Sequence, residues 1–300
     1  ILYCLAVGFI IPIWTDFLAH IFPRENRGHY LGISFAFNSV GGFAGGIIVK
    51  ILLNSSIPFP NNFGWGFIIM GISMGLGILV YLFYNVGNKT DKTPHKTIAV
   101  FWQDTKNIIQ THVNFRRYLL SRILITAHFP AMSLYAVYTQ ELFGFNISEA
   151  GLFIILQVIT FSLGSVASGK IGDRWGHKTA IILSFSGYLL AIIFTIFATS
   201  MIHVYAIFLS LGLGHGGFMP SAMNMVYEFA ESRDSKTYMA LIDTFLAPFV
   251  LLMIIGASVL DPIIGTRNLF VMSGFLIALG LLLLTFWVKE PRLYPHKAAD

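Results

Sequence analysis

Ten consecutive residues, Gly169-Lys170-Ile171-Gly172-Asp173-Arg174-Trp175-Gly176-His177-Lys178, gather five charged or titratable side chains between two long apolar runs. Charge at this density enters hydrocarbon only at high cost, so the stretch reads as a tight turn at a membrane surface. Its glycines let the backbone turn sharply and let two helices approach closely. Asp173 and Arg174 are suited to ionic chemistry, a latch around which the flanking runs move as rigid bodies.

A second group of unusual side chains lies inside the apolar runs: Trp14 and Asp16; Arg122, Thr126, His128, Tyr135 and Tyr138; His215, Asn224 and Tyr227; and Asp243. Ionisable groups within a membrane are functional candidates by default. Asp16 and Arg122 lie near one end of their runs, where each is either a gate-pairing residue or a side chain snorkelling to the surface. Asp243, seven residues past Lys236, is also near that surface. His128 is deeper and precedes Pro130, so it is either a proton or substrate group or a histidine satisfied by a neighbouring helix. His215 sits in Gly212-Leu213-Gly214-His215-Gly216-Gly217, which reads either as a loosened helix exposing backbone to a ligand or as a flexible packing site. The same run spells G-x-G-x-x-G, but no strand precedes it and no helix begins after it, so it is not a dinucleotide site. No H-E-x-x-H, cysteine pair or phosphate-loop lysine occurs, and neither a cofactor nor a metal is expected. An enzyme would gather His, Asp or Ser at one depth. These candidates are scattered, which argues against catalysis.

The elements that carry these groups follow from composition. Charged residues make up 11% of the 300, against about 25% in a soluble domain, and mean hydropathy is +0.74. Nine apolar spans are expected, near 1–22, 28–53, 64–86, 117–140, 148–171, 177–200, 202–227, 236–260 and 267–289. Each is long enough for a helix across a bilayer. Lys50 and Arg267 fall on one side and Arg122 just inside the fourth span. The other 16 of the 19 Lys and Arg residues lie on the opposite side, which the positive-inside rule makes cytoplasmic. The net charge of +5 is therefore a topology signal and not a nucleic-acid footprint. Within the polar connector 88–116, Ile98, Phe101, Trp102, Thr105, Ile108, Ile109 and His112 share one helical face, which predicts an amphipathic surface helix. Cys4, the single cysteine, rules out an intrachain disulfide.

A shift of 208 residues lays Gly8 on Gly216, Pro12 on Pro220, Tyr30 on Tyr238 and Phe37 on Phe245, and puts spans one and two in register with spans seven and eight. Parallel repeats of this kind are a transporter architecture. The repeat predicts three further spans upstream, making the chain a fragment of a twelve-helix protein.

With these residues in view, the chain resembles the major facilitator superfamily of transporters, as helices four to twelve. Residues Gly169 to Lys178 match that family's loop, G-x-x-x-D-R-x-G-[RH]-[RK], between the second and third helices of a six-helix half. Phe22-Pro23-Arg24-Glu25-Asn26-Arg27-Gly28 and Tyr227-Glu228-Phe229-Ala230-Glu231-Ser232-Arg233 resemble the turn after each half's fourth helix. The resemblance implies an all-α polytopic fold of two pseudo-symmetric bundles. Residues 1–87 would be the second part of the first bundle, 88–116 a cytoplasmic linker, 117–290 the complete second bundle and 291–300 a tail. It also implies that Asp173 caps span two near Arg27 and Gly28, with Gly169, Gly172, Arg174, Gly176 and Lys178 completing the gate. The halves would pack through Gly41 and Gly45 against Gly164 and Ser168. Spans one, four and seven would line the path, with Asp243 of span eight beside it. The expected function is secondary active transport of a small solute by alternating access, coupled to a proton or ion gradient. The expected setting is a monomer in the lipid bilayer of the cell membrane, C-terminus cytoplasmic, without nucleic acid. A transporter-like sensor or partner-binding membrane protein without net transport is the other reading, and substrate identity stays open.

Overall fold

A computed structural model describes residues 10–11, 13–18, 21–53, 55–58, 60–83, 97–145, 147–230 and 235–293. The described residues form helices and their connections, with no strand: a short 3-10 turn Arg24–Asn26, then α1 (Arg27–Leu53), α2 (Asn61–Leu82), α3 (Ile98–Thr111), α4 (Val113–Ile125), α5 (His128–Phe143), α6 (Ile147–Trp175), α7 (His177–Ile196), α8 (Met201–Ala230), α9 (Ser235–Ile264) and α10 (Thr266–Trp287). Eight stretches are long and apolar enough to cross a membrane, with α4 and α5 together forming one of them. They coincide with spans two to nine. The first span falls largely outside the described residues, although 13–18 are helical. At about 1.5 Å per residue, a helix of 20 residues matches the ~30 Å hydrocarbon layer. Inside that layer the backbone must satisfy its own hydrogen bonds, which is why such apolar runs become helices.

The chain divides into two compact units, residues 1–39 with 100–300, and residues 40–99. In the larger unit α8 packs along α6 and α7, while α10 packs against α4 and α7. The α8 contacts are close because small residues line them. A Cβ on Gly164 would sit 2.6 Å from the Leu213 carbonyl oxygen, and one on Gly187 would sit 3.0 Å from the Gly214 Cα. Ser165 and Ser168 of α6 donate hydroxyl hydrogen bonds to the carbonyls of Gly216 and Gly217 at 3.0 and 2.5 Å. Small residues and hydroxyls replace the hydrophobic effect as glue between membrane helices, since lipid is as apolar as leucine. The Gly212–Gly217 run therefore carries unbroken helix, not a loosened segment, and its glycines serve approach. The core is aromatic, with Tyr118, Tyr135, Phe185, Tyr188, Phe229 and Phe270 fully buried. Helix α3 covers the expected amphipathic stretch, with Thr105 buried and Ile108 and Ile109 packed against this core. In the smaller unit, the end of α1 and all of α2 expose large apolar side chains such as Ile51, Phe67 and Ile78, as lipid-facing helices do.

Candidate functional site

Helix α6 ends at Trp175 and α7 begins at His177, so one residue, Gly176, makes the whole turn. Its φ of 96° with ψ of 145° lies in a region essentially closed to residues with a Cβ. The turn leaves Asp173 on the last turn of α6, facing the first residues of α1. There its two carboxylate oxygens accept the backbone N–H groups of Gly28 at 2.9 Å and His29 at 2.7 Å. The first N–H groups of a helix have no partner within it and carry its positive dipole end, so a carboxylate is the fitting cap. The side chain is 14% exposed. A cavity of about 380 Å³ opens beside it, lined by Glu25, Asn26, His29, Lys170, Asp173 and Arg174. Arg174 does not pair with the acid beside it; its guanidinium lies 5.3 Å over the Trp175 ring. Arg27 lies 5.0 Å over the Tyr227 ring.

The cap depends on bare backbone. A Cβ on Gly28 would come within 2.6 Å of Asp173 Oδ1 and of the Gly169 carbonyl oxygen. One on Gly32 would run into the Ser165 carbonyl, and one on Gly169 into the Gly28 carbonyl. Helices α1 and α6 thus meet through Gly28 and Gly32 against Ser165 and Gly169, with the Ser39 and Ser162 hydroxyls 2.5 Å apart further along. Of the residues singled out in the sequence for this contact, Gly164 and Ser168 lie on another face of α6, toward α8, and Gly41 and Gly45 belong to the smaller unit. The four-residue spacing was right for a small-residue face, but the helix rotation that selects the face is a tertiary property.

Four residues at this end were not singled out in the sequence. His177 is 3% exposed, and its Nε2 lies 3.7 Å from Asp173 and 4.0 Å from Glu228 of α8. Gly172 leaves room for its ring. Glu290, just past α10, accepts the Lys178 backbone N–H at 3.0 Å and so caps α7, as Asp173 caps α1. Burial holds the Glu290 carboxyl above the usual glutamate range, although Glu228, Lys178 and Arg292 pull it down. Lys178 Nζ donates to the Thr285 carbonyl at 2.7 Å, and Arg292 donates to the Asp173 carbonyl at 2.6 Å. The pattern Lys289-Glu290-Pro291-Arg292 was the available signal, but its partners lie more than 100 residues away.

The remaining candidates fall into three places. Asp16 pairs with Lys236 at 3.1 Å and accepts from Ser235 at 3.0 Å, while Tyr227 donates to the Thr15 carbonyl. Trp14 packs against the same core. Tyr135 and Tyr138 flank Phe270 with ring centroids 4.9 and 5.4 Å away, and Asn224 is used within its own helix, donating to the Pro220 carbonyl.

The third place is the junction of α4 and α5. Pro130 has no N–H for the Thr126 carbonyl, so Phe129 supplies that bond instead, at 3.0 Å. This frees the Ile125 carbonyl, which takes His128 Nδ1 at 2.7 Å. A carbonyl only accepts, so Nδ1 carries the hydrogen. His128 stacks on Tyr188 at 4.7 Å, and the Tyr188 hydroxyl meets His215 Nδ1 at 2.8 Å. One turn before the junction, Arg122 is 7% exposed and lies among three rings. Asp243 of α9 is exposed.

A sequence profile of the Major Facilitator Superfamily matches residues 1–140 and 118–300. A niacin transporter of Acinetobacter baylyi is 31% identical over 98 residues, which are 33% of this chain and 22% of that protein. A class H tetracycline resistance protein of Pasteurella multocida is 28% identical over 188 residues, 56% of this chain and 42% of that protein. The chain thus spans less than half the length of these two relatives. The human organic anion transporter structure superposes with a TM-score of 0.71 at 15% identity, over 91% of this chain and 67% of that one, and so shares its fold.

Proposed function

Because the chain belongs to the Major Facilitator Superfamily, we propose that it works as a secondary active transporter. It moves a small organic solute by alternating access, driven by a proton or ion gradient. The protein is an integral membrane protein with apolar helices of spanning length. In this reading the Asp173 end faces the cytoplasm, the protein acts as a monomer in the cell membrane, and 88–116 links two bundles. One observation carries the proposal: Asp173 holds the start of α1 through two backbone N–H groups, across 145 residues of sequence. This bond exists only while α1 and α6 meet at that end, so it favours one of two states, as a conformational switch requires. The niacin and tetracycline named for two relatives support a small-molecule cargo.

The test is uptake of radiolabelled niacin and tetracycline into vesicles holding the full chain, with and without an imposed proton gradient. Gradient-driven accumulation is expected, slowed about tenfold by Asp173→Asn at equal protein incorporation, since a hydrogen bond to a charged group contributes about 1.5–3 kcal/mol. Uptake indifferent to any gradient defeats the coupling. An Asp173→Asn protein with unaltered rates defeats the latch.

A further inference from the structure

A guanidinium deep in a helical bundle calls for an anion. Arg122 is the tenth residue of α4, about 14 Å along the helix from its start, beyond the reach of a snorkelling side chain to that end. The Tyr118 hydroxyl takes one of its five N–H donors, at 3.0 Å. Among the described residues no carboxylate lies within ion-pair distance. What surrounds the charge instead is aromatic: Phe218 at 4.6 Å, Phe185 at 5.4 Å and Tyr118 at 5.7 Å from ring centroid to guanidinium carbon. Ring faces stabilise a cation but do not neutralise it, and they leave its planar fork unused. The neighbouring junction of α4 and α5 adds His128, stacked on Tyr188. Broken helices are where membrane transporters place polar groups for a cargo.

From this geometry, and resting on the transport reading above, we propose that the cargo is a small organic anion. Its carboxylate pairs with the Arg122 fork, and its flat ring is received by the rings of Phe185 and Phe218. Arg122 supplies charge and two parallel N–H donors, Tyr118 holds the guanidinium in plane, and the phenylalanines select against non-planar cargo.

The experiment is calorimetric titration of the detergent-purified full chain with benzoate, benzamide and benzylamine, three molecules of like shape and different charge. Benzoate is expected to bind at least tenfold more tightly than the other two. Arg122→Gln should lose that preference, and Arg122→Lys should keep part of it, since lysine keeps the charge and not the fork. If Arg122→Gln fails to fold, Phe218→Leu serves, with benzoate affinity falling severalfold. Equal binding of the three molecules, no binding of benzoate, or an undiminished preference in Arg122→Gln overturns the proposal. Gradient-driven uptake of a neutral solute without benzoate binding would remove the substrate class and leave transport standing. Benzoate binding through Arg122 without uptake would do the reverse.

Discussion

Substituting Gly28 by alanine adds a single methyl group, and the structure says where it goes. Its carbon would lie 2.6 Å from Asp173 Oδ1, 2.6 Å from the Gly169 carbonyl oxygen and 2.7 Å from His177 Cε1. An unstrained contact needs about 3.5 Å, so the start of α1 must retreat from α6 by about 0.9 Å. Hydrogen bonds of 2.9 and 2.7 Å to Asp173 then stretch to the limit of bonding. Losing two bonds to a partly hydrated carboxylate costs about 2–4 kcal/mol, and the better helix propensity of alanine returns about 1 kcal/mol. The net, about 2 kcal/mol, shifts the balance between closed and open ends about thirtyfold. The assay uses a Cys4→Ser background with Ser162→Cys as reporter, because the Ser162 hydroxyl faces that of Ser39 across the α1–α6 seam at 2.5 Å. Maleimide should label that cysteine at least tenfold faster when Gly28→Ala is added, with circular dichroism unchanged. Equal labelling rates would mean that Gly28 does not hold α1 to α6, and the account of the cap would be wrong.

Two further expectations concern the turn into α7. Gly176→Ala combines a φ of 96° with a methyl group driven into the Glu290 carboxylate, so several kcal/mol and a thermal transition lowered by several degrees are expected; an unchanged melting temperature would contradict the turn geometry. Glu290 titrates above its ordinary value of 4.5 because burial disfavours its charged form. A raised folded-state pKa means that its contribution is full below 4.5 and is lost as pH rises through the folded value. Melting temperature should therefore fall with rising pH above that point, and Glu290→Gln, neutral throughout, should flatten the curve; parallel curves would show that Glu290 is not the group responsible.

Much of this protein was readable along the chain. Hydrocarbon sets both the length and the composition of anything that crosses it, so apolar runs near 20 residues announced the helices without reference to neighbours. The charged decapeptide announced a surface turn for the same reason, and Asp173 stood out as its acid. Even the break between α4 and α5 had a local cause in Pro130.

Which side of each helix meets which neighbour was not written in one dimension. Gly164 and Ser168 have the same spacing as Ser165 and Gly169, yet the first pair faces α8 and the second meets the backbone of α1 at Gly32 and Gly28. The glycine run around His215 has the composition of a weak helix and runs as unbroken helix, because α6 and α7 press on it from both sides. Glu290 caps a helix 112 residues away, and Arg122 lies within a cage contributed by α4, α7 and α8. Hydropathy is a property of each residue and its solvent, so the sequence alone determined what crosses the membrane and where charge returns to water. Helix rotation and lateral packing depend on pairs of surfaces far apart in the chain, and only the tertiary structure decided which glycines touch, which acids cap and which rings surround a buried cation.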